Sequence, residues 1–229
     1  MLFRSAFSDY RELELAIDGD TLQPLPSPLV VSGLTDRAAG RDYYGAILRV
    51  LEEAGSYQRG QPGTPPSPGT RHYYVFTYDW RQDNVHNVRL LHRFLAQLRR
   101  DYDDPTLEVD VVAHSMGGLI ARYYARYGTR DVLDGNDFPV TGEGGRYLRR
   151  LVLLGTPNLG SVQAVRTLME GYPVGLRSMP PEVVATFPST YQLLPHPINT
   201  WLVTADGVEL QRDLFSAEFW RRFQLSVFH

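Results

Sequence analysis

The chain has 229 residues, 43% of them hydrophobic, and sets 23 basic side chains against 26 acidic ones for a net charge of −3. That length supports one sizeable core, and the mild, scattered charge excludes the strongly basic face of a nucleic-acid binder. All 23 basic positions are Arg and Cys is absent, so a P-loop, a Schiff-base lysine enzyme, a cysteine protease, a thiolate zinc site and a disulfide scaffold are all excluded.

Met1 to Asp20 lacks the basic flank followed by an apolar stretch that marks a secretory leader. No run of about 18 apolar residues follows anywhere, so no membrane-spanning helix is expected. With Met1 as the true start, the product is expected to be soluble and intracellular. The opening is loop-rich, broken by Pro24, Pro26 and Pro28. From Asp42 onward Tyr44, Ile47, Leu48 and Leu51 recur at helical spacing, and Gly55 stands where a helix stops. Ser56 to Thr70, with Pro62, Pro65, Pro66 and Pro68, reads as a surface loop.

The chain then alternates. His72 to Tyr78 is aromatic and β-branched, as a buried strand should be. Asn84 to Arg100 places Val88, Leu91, Leu95 and Leu98 on one stripe and Arg89, Arg93, Gln97 and Arg100 on another, an amphipathic helix. Leu107 to Val112 is a second strand and Leu119 to Tyr127 a second helix. Leu151 to Leu154 is a third strand, apolar throughout as in a parallel sheet covered on both faces. This alternation predicts an α/β layer with right-handed crossovers. From Gly160 to Pro197 the alternation stops and six prolines punctuate an apolar stretch that reads as a cap or lid. Asp213 to Phe228 predicts a short helix with an aromatic face.

Between the second strand and the second helix lies Ala113-His114-Ser115-Met116-Gly117-Gly118, the form of a nucleophile elbow. In such a turn the serine takes a strained backbone conformation, and the residues two before and two after it must be small because strand and helix pass closely. Ala113 and Gly117 meet that requirement. Met116 follows the serine and aims its backbone N–H at the position of an oxyanion, aided by the helix N-terminus. A small-x-Ser-x-Gly match alone arises by chance in roughly one chain in ten; the setting after an apolar strand and before a helix raises it above that level. The competing reading makes Ser115 a helix cap. His114, pointing differently from its neighbour at a sharp turn, reads as structural.

Together with that elbow, Tyr78-Asp79-Trp80-Arg81 and Gly155-Thr156-Pro157-Asn158-Leu159-Gly160-Ser161 resemble, in order and spacing, the three landmarks of the lecithin:cholesterol acyltransferase-like lipases. The resemblance spans about Asp42 to Phe228. It implies one α/β-hydrolase domain over residues 1–229, with a parallel sheet, helices on both faces and a cap or lid segment at about 160–228. It also implies a lipid or acyl-ester substrate, transfer of the acyl group through a serine ester to water or to another hydroxyl, and neither a metal nor an organic cofactor. By carry-over Ser115 is the nucleophile and Met116 an oxyanion donor. Asp79 and Arg81 match the family's Asp-Trp-Arg, for which an ion pair holding the loop is a better reading than chemistry. Thr156 to Ser161 reads as a turn into the lid. Leu168, Met169, Tyr172, Val174, Leu176 and Met179 suit either contact with a lipid surface or packing within the fold.

A serine hydrolase of this fold needs an acid and then a histidine downstream of the serine. His196 precedes the nearest plausible acid. Asp206 and His229 have the right order, but His229 is the last residue, so acid and base stay unassigned. Pro28 to Leu34 imitates a central strand with its oxyanion loop only superficially. One explanation covers both gaps, that the chain is an internal portion of a longer hydrolase; the rival is a reduced, non-catalytic relative. A soluble carboxylesterase is the enzymatic alternative, and a binding module that keeps the elbow without the triad is the alternative from another class.

Overall fold

The computed structural model describes residues 10–21, 24–31, 33–34, 37–38, 41–132, 137–174, 177–222 and 224. They form two compact units. The first comprises Val31–Asp79 and Val85–Thr156; the second comprises the described parts of Leu2–Val30, Trp80–Asn84 and Pro157–His229.

The first unit opens with a short antiparallel pair, β1 (Arg37–Ala38) with β2 (Arg41–Asp42). The helix expected after Asp42 is α1 (Gly45–Arg49), which widens into a π-helical turn over Val50–Ala54. Gly55 ends it, its N–H donating to the Val50 carbonyl at 3.0 Å. Two parallel pairs follow: β3 (Tyr57–Arg59) with β4 (Arg71–Tyr73), and β5 (Val109–His114) with β6 (Leu148–Leu154). In the second pair Val112 faces Val152 and His114 faces Leu154. Between them run α2 (Asn84–Asp101) and α3 (Met116–Tyr127). The predicted stripe Val88, Leu91, Leu95 and Leu98 is buried, and packs with Ile120 and Tyr124 of α3 into this unit's core.

Two features depart from the expected sheet. Among the described residues the parallel strands form two separate two-stranded pairs in place of one extended sheet. The strand expected over His72–Tyr78 is regular only as β4, and Tyr74 to Asp79 lies in no ladder among the described residues. Strand preference is a preference for a pleated, paired environment, and without a ladder partner the alternating Tyr74, Phe76 and Tyr78 still pack against the core cluster. Phe76 lies 5.3 Å, centroid to centroid, from Phe94 of α2. Leu151–Leu154 is also not covered on both faces. Val112, Val152 and Leu154, which share the face of His114, are exposed.

The second unit is more regular than its prolines suggest. It contains α4 (Val162–Glu170), the antiparallel pair β7 (Tyr172–Val174) and β8 (Arg177–Met179), and three short helices, α5 (Pro181–Val184), α6 (Pro188–Tyr191) and α7 (Ala217–Arg222). Pro181 and Pro188 start helices, the one helical position where a missing N–H costs nothing and a fixed φ helps. Of the residues offered as lipid-facing, Leu168, Val174 and Met179 are buried in this unit's core with Phe187 and Trp220. Met169 and Tyr172 remain 44% and 39% exposed, and Leu176 lies outside the described residues. The tail helix expected over Asp213 to Phe228 is described as α7, which begins at Ala217; Phe223 and residues 225–229 lie outside the described residues.

Candidate active site

Ser115 stands between β5 and α3 with φ 53° and ψ −128°. A non-glycine residue there is strained by about 1–3 kcal/mol, which the surrounding structure must over-determine. Two backbone bonds do so: the Ser115 N–H donates to the Leu154 carbonyl at 2.9 Å, and the Gly118 N–H donates to the Ser115 carbonyl at 3.0 Å. A serine at a helix N-cap ordinarily accepts a bond from the first turn through its hydroxyl. Ser115 makes no such bond. The capping role considered for it is therefore unfilled, and its hydroxyl has no partner among the described residues. Nor do the Met116 and Gly117 N–H groups, which open α3, have an acceptor among them.

Small residues let the turn close. Ala113 and Met116 are buried. A Cβ on Gly118 would lie 1.9 Å from the Thr156 hydroxyl oxygen, so the ends of β6 and α3 touch there. That hydroxyl is buried and has no hydrogen-bond partner. A Cβ on Gly117 would lie 3.5 Å from the Tyr78 hydroxyl. Beside the turn, His114 Nδ1 and the Tyr44 hydroxyl are 3.0 Å apart, with their rings edge to face at 5.5 Å. Burial pushes the Tyr44 hydroxyl above its ordinary pKa. It pushes that of Tyr78 up to about 12, with the nearby Tyr44 adding to the shift. Both remain protonated at neutral pH. Sequence reasoning missed Tyr44, which it took only as part of a helical repeat, and read Tyr78 merely as the first letter of a motif. Its position at the carboxyl end of the aromatic run was the available signal.

Of the other sequence candidates, Asp79 ends a segment of the first unit, its carbonyl accepting from the Asn87 side-chain amide at 3.0 Å, and the rest lie in the second unit. Arg81 is 4% exposed. Its Nη1 donates to the Leu13 carbonyl at 2.8 Å and its Nη2 to the Ser27 hydroxyl at 3.1 Å. Trp80 packs edge-on against Phe187 at 5.3 Å. Arg81 thus fastens the N-terminal stretch of this unit. Arg81→Lys is expected to cost about 2 kcal/mol, because one ammonium cannot reproduce a planar fork spanning two acceptors in a buried position. A lowered midpoint in urea denaturation at unchanged slope checks this. Ser161 caps α4, its hydroxyl accepting from the Gln163 N–H at 3.2 Å. The His196 Nδ1 accepts from the Ile198 N–H at 3.1 Å in an exposed turn. Asp206 is also in an exposed turn, and the Thr204 hydroxyl that donates to it holds its carboxyl below the usual range. His229 lies outside the described residues.

A strand, a left-handed serine with an unspent hydroxyl, and a helix whose first N–H groups are free define an α/β protein carrying a strand–serine–helix turn. The family model of lecithin:cholesterol acyltransferase matches residues 71–216, a stretch that holds this turn, the Asp-Trp-Arg segment and Gly155 to Ser161. The chain belongs to the lecithin:cholesterol acyltransferase family, which implies the α/β-hydrolase fold and a lipid acyltransferase or lipase type of function. No curated protein matches the chain significantly. Among the described residues, no helix is long and apolar enough to cross a membrane.

Proposed function

We propose that the chain is a serine-dependent lipid-ester lipase or O-acyltransferase in which Ser115 carries the acyl group. The observation that supports this most is the strained Ser115 backbone combined with a hydroxyl that neither caps α3 nor bonds elsewhere among the described residues. In this reading Ser115 Oγ attacks the ester carbonyl carbon. The Oγ–C bond forms as the carbonyl π pair moves onto oxygen, and the Ser115 proton passes to a general base still to be assigned. The Met116 N–H, at the positive end of the α3 dipole, receives the oxyanion. Collapse breaks the bond to the leaving alkoxide, which takes up a proton, and leaves an acyl-serine. Water or a second alcohol then repeats the sequence in reverse. Residues 160–228 serve as the cap or lid, with Met169 and Tyr172 as its lipid-facing side chains.

A fluorophosphonate probe followed by peptide mapping tests the nucleophile, with adduct expected on the peptide that contains Ser115. If neither the 229-residue chain nor the same chain extended into its flanking reading frame is labelled there, the reading is wrong and a binding module takes its place. Rates on ester series of rising chain length, with and without a lipid interface, separate a lipase from a soluble carboxylesterase.

A further inference from the structure

We infer that the Tyr78 hydroxyl is a second oxyanion donor, acting beside the Met116 N–H on an acyl group carried by Ser115. The inference rests on the proposed nucleophile and adds a side-chain catalytic residue to it. In α/β architectures ligands meet the carboxyl ends of the parallel strands. Ser115 follows the carboxyl end of β5 and Thr156 follows that of β6, while Tyr78 closes the aromatic run that continues, outside any ladder among the described residues, from β4. The Tyr78 hydroxyl reaches the first turn of α3, 3.5 Å from where a Cβ on Gly117 would stand. Gly117 leaves that approach open.

The phenol is also held in place. Its ring stacks on Phe76 at 5.8 Å and 26°, and Phe76 rests on Phe94 of α2. A donor fixed before the reaction costs no reorganisation when charge develops, which is the property an oxyanion hole needs.

The state of the hydroxyl fits the role. Other tyrosines of the chain that sit out of solvent spend theirs: Tyr44 on His114, Tyr73 on Glu52, Tyr124 on His92 and Tyr191 on the Ala185 carbonyl. Tyr78 has no hydrogen-bond partner among the described residues, although burial is the main cause of its raised pKa. The donor of Tyr78 is therefore unspent, open to a bound oxyanion. Since the phenol stays protonated to about pH 12, it donates over the whole working range.

Tyr78→Phe keeps the stacked ring and removes only the donor. On a soluble chromogenic ester, kcat is expected to fall about 100- to 1,000-fold with KM changed less than about threefold. The second-order rate of fluorophosphonate labelling should fall with it, as should affinity for a trifluoromethyl ketone, which mimics the oxyanion; thermal stability should not. Replacing Tyr78 with a ring-fluorinated tyrosine, which lowers the phenol pKa, should bring an alkaline limb of the rate profile to lower pH. If Ser115 is labelled in the parent chain and Tyr78→Phe retains kcat and labelling rate within about threefold, the donor assignment is overturned and the nucleophile stands. If Ser115 is not labelled in the parent chain, the nucleophile reading fails and the donor fails with it.

Discussion

Ser115→Ala is expected to remove fluorophosphonate labelling and lower kcat on ester substrates by at least about a thousandfold, with the fold intact. The loss is large because no neighbouring oxygen replaces the one that attacks, and it falls on kcat because binding of the ester is untouched. Stability should barely change: no cap bond is lost, so the penalty of about 1 kcal/mol for removing a capping serine does not apply. Ser115→Gly separates function from structure more sharply. At φ 53° and ψ −128° a serine stores about 1–3 kcal/mol of strain that glycine does not feel. Glycine's greater freedom in the unfolded chain returns about 0.4–1 kcal/mol of that. The net gain of about 1 kcal/mol should raise Tm by about 2–4 °C in a chain of this size while activity disappears. A serine kept only for packing has no reason to be strained, so a Ser115→Gly variant that is active, or less stable than the parent, would count against the nucleophile.

The parts of the site that depend on neighbours in sequence were legible in it. Val88, Leu91, Leu95 and Leu98 share one face by helical geometry alone, and all four are buried. The turn around Ser115 was legible because it needs small residues at fixed offsets from the serine, and the close approach at Gly118 carries that logic into Thr156. What depends on distant partners was not legible. Arg81 reads in sequence as half of an ion pair holding its loop, and nothing local shows that it is buried and donates to Leu13 and Ser27, 68 and 54 residues away. Pro181 and Pro188 were read as interruptions because proline breaks a helix it enters late and helps one it begins. Only the start of each helix distinguishes those cases. The apolar residues of 168–179 were ambiguous for a similar reason. Leu168 and Met169 are adjacent, but the turn of α4 buries the first and exposes the second.

Gly118→Ala should be among the most damaging single-methyl additions in the first unit. The new Cβ would lie 1.9 Å from Thr156 Oγ1, 2.8 Å from its Cγ2 and 2.9 Å from its Cβ. Thr156 has little room to yield, since its hydroxyl is buried. It also follows Gly155, whose φ of 56° fixes the turn out of β6. Either α3 or the end of β6 must therefore move. Overpacking of this kind costs about 3 kcal/mol, or about 6–12 °C in Tm. Because α3 carries the Met116 N–H, a displacement near 1 Å should also lower kcat about 100-fold in the protein that remains folded. The cause is separable by a second change. Thr156→Ala removes Oγ1 and Cγ2 and leaves only the contact at 2.9 Å, so combining it with Gly118→Ala should recover more than half of the lost stability, a coupling of about 2 kcal/mol. Thr156→Ser keeps Oγ1 and should recover much less. Thr156→Val, alone, replaces a buried hydroxyl that has no partner by a methyl of similar size, and should leave stability equal or higher. A Gly118→Ala variant within about 0.5 kcal/mol of the parent in chemical denaturation would show that α3 and β6 do not meet as tightly at this point as their geometry requires.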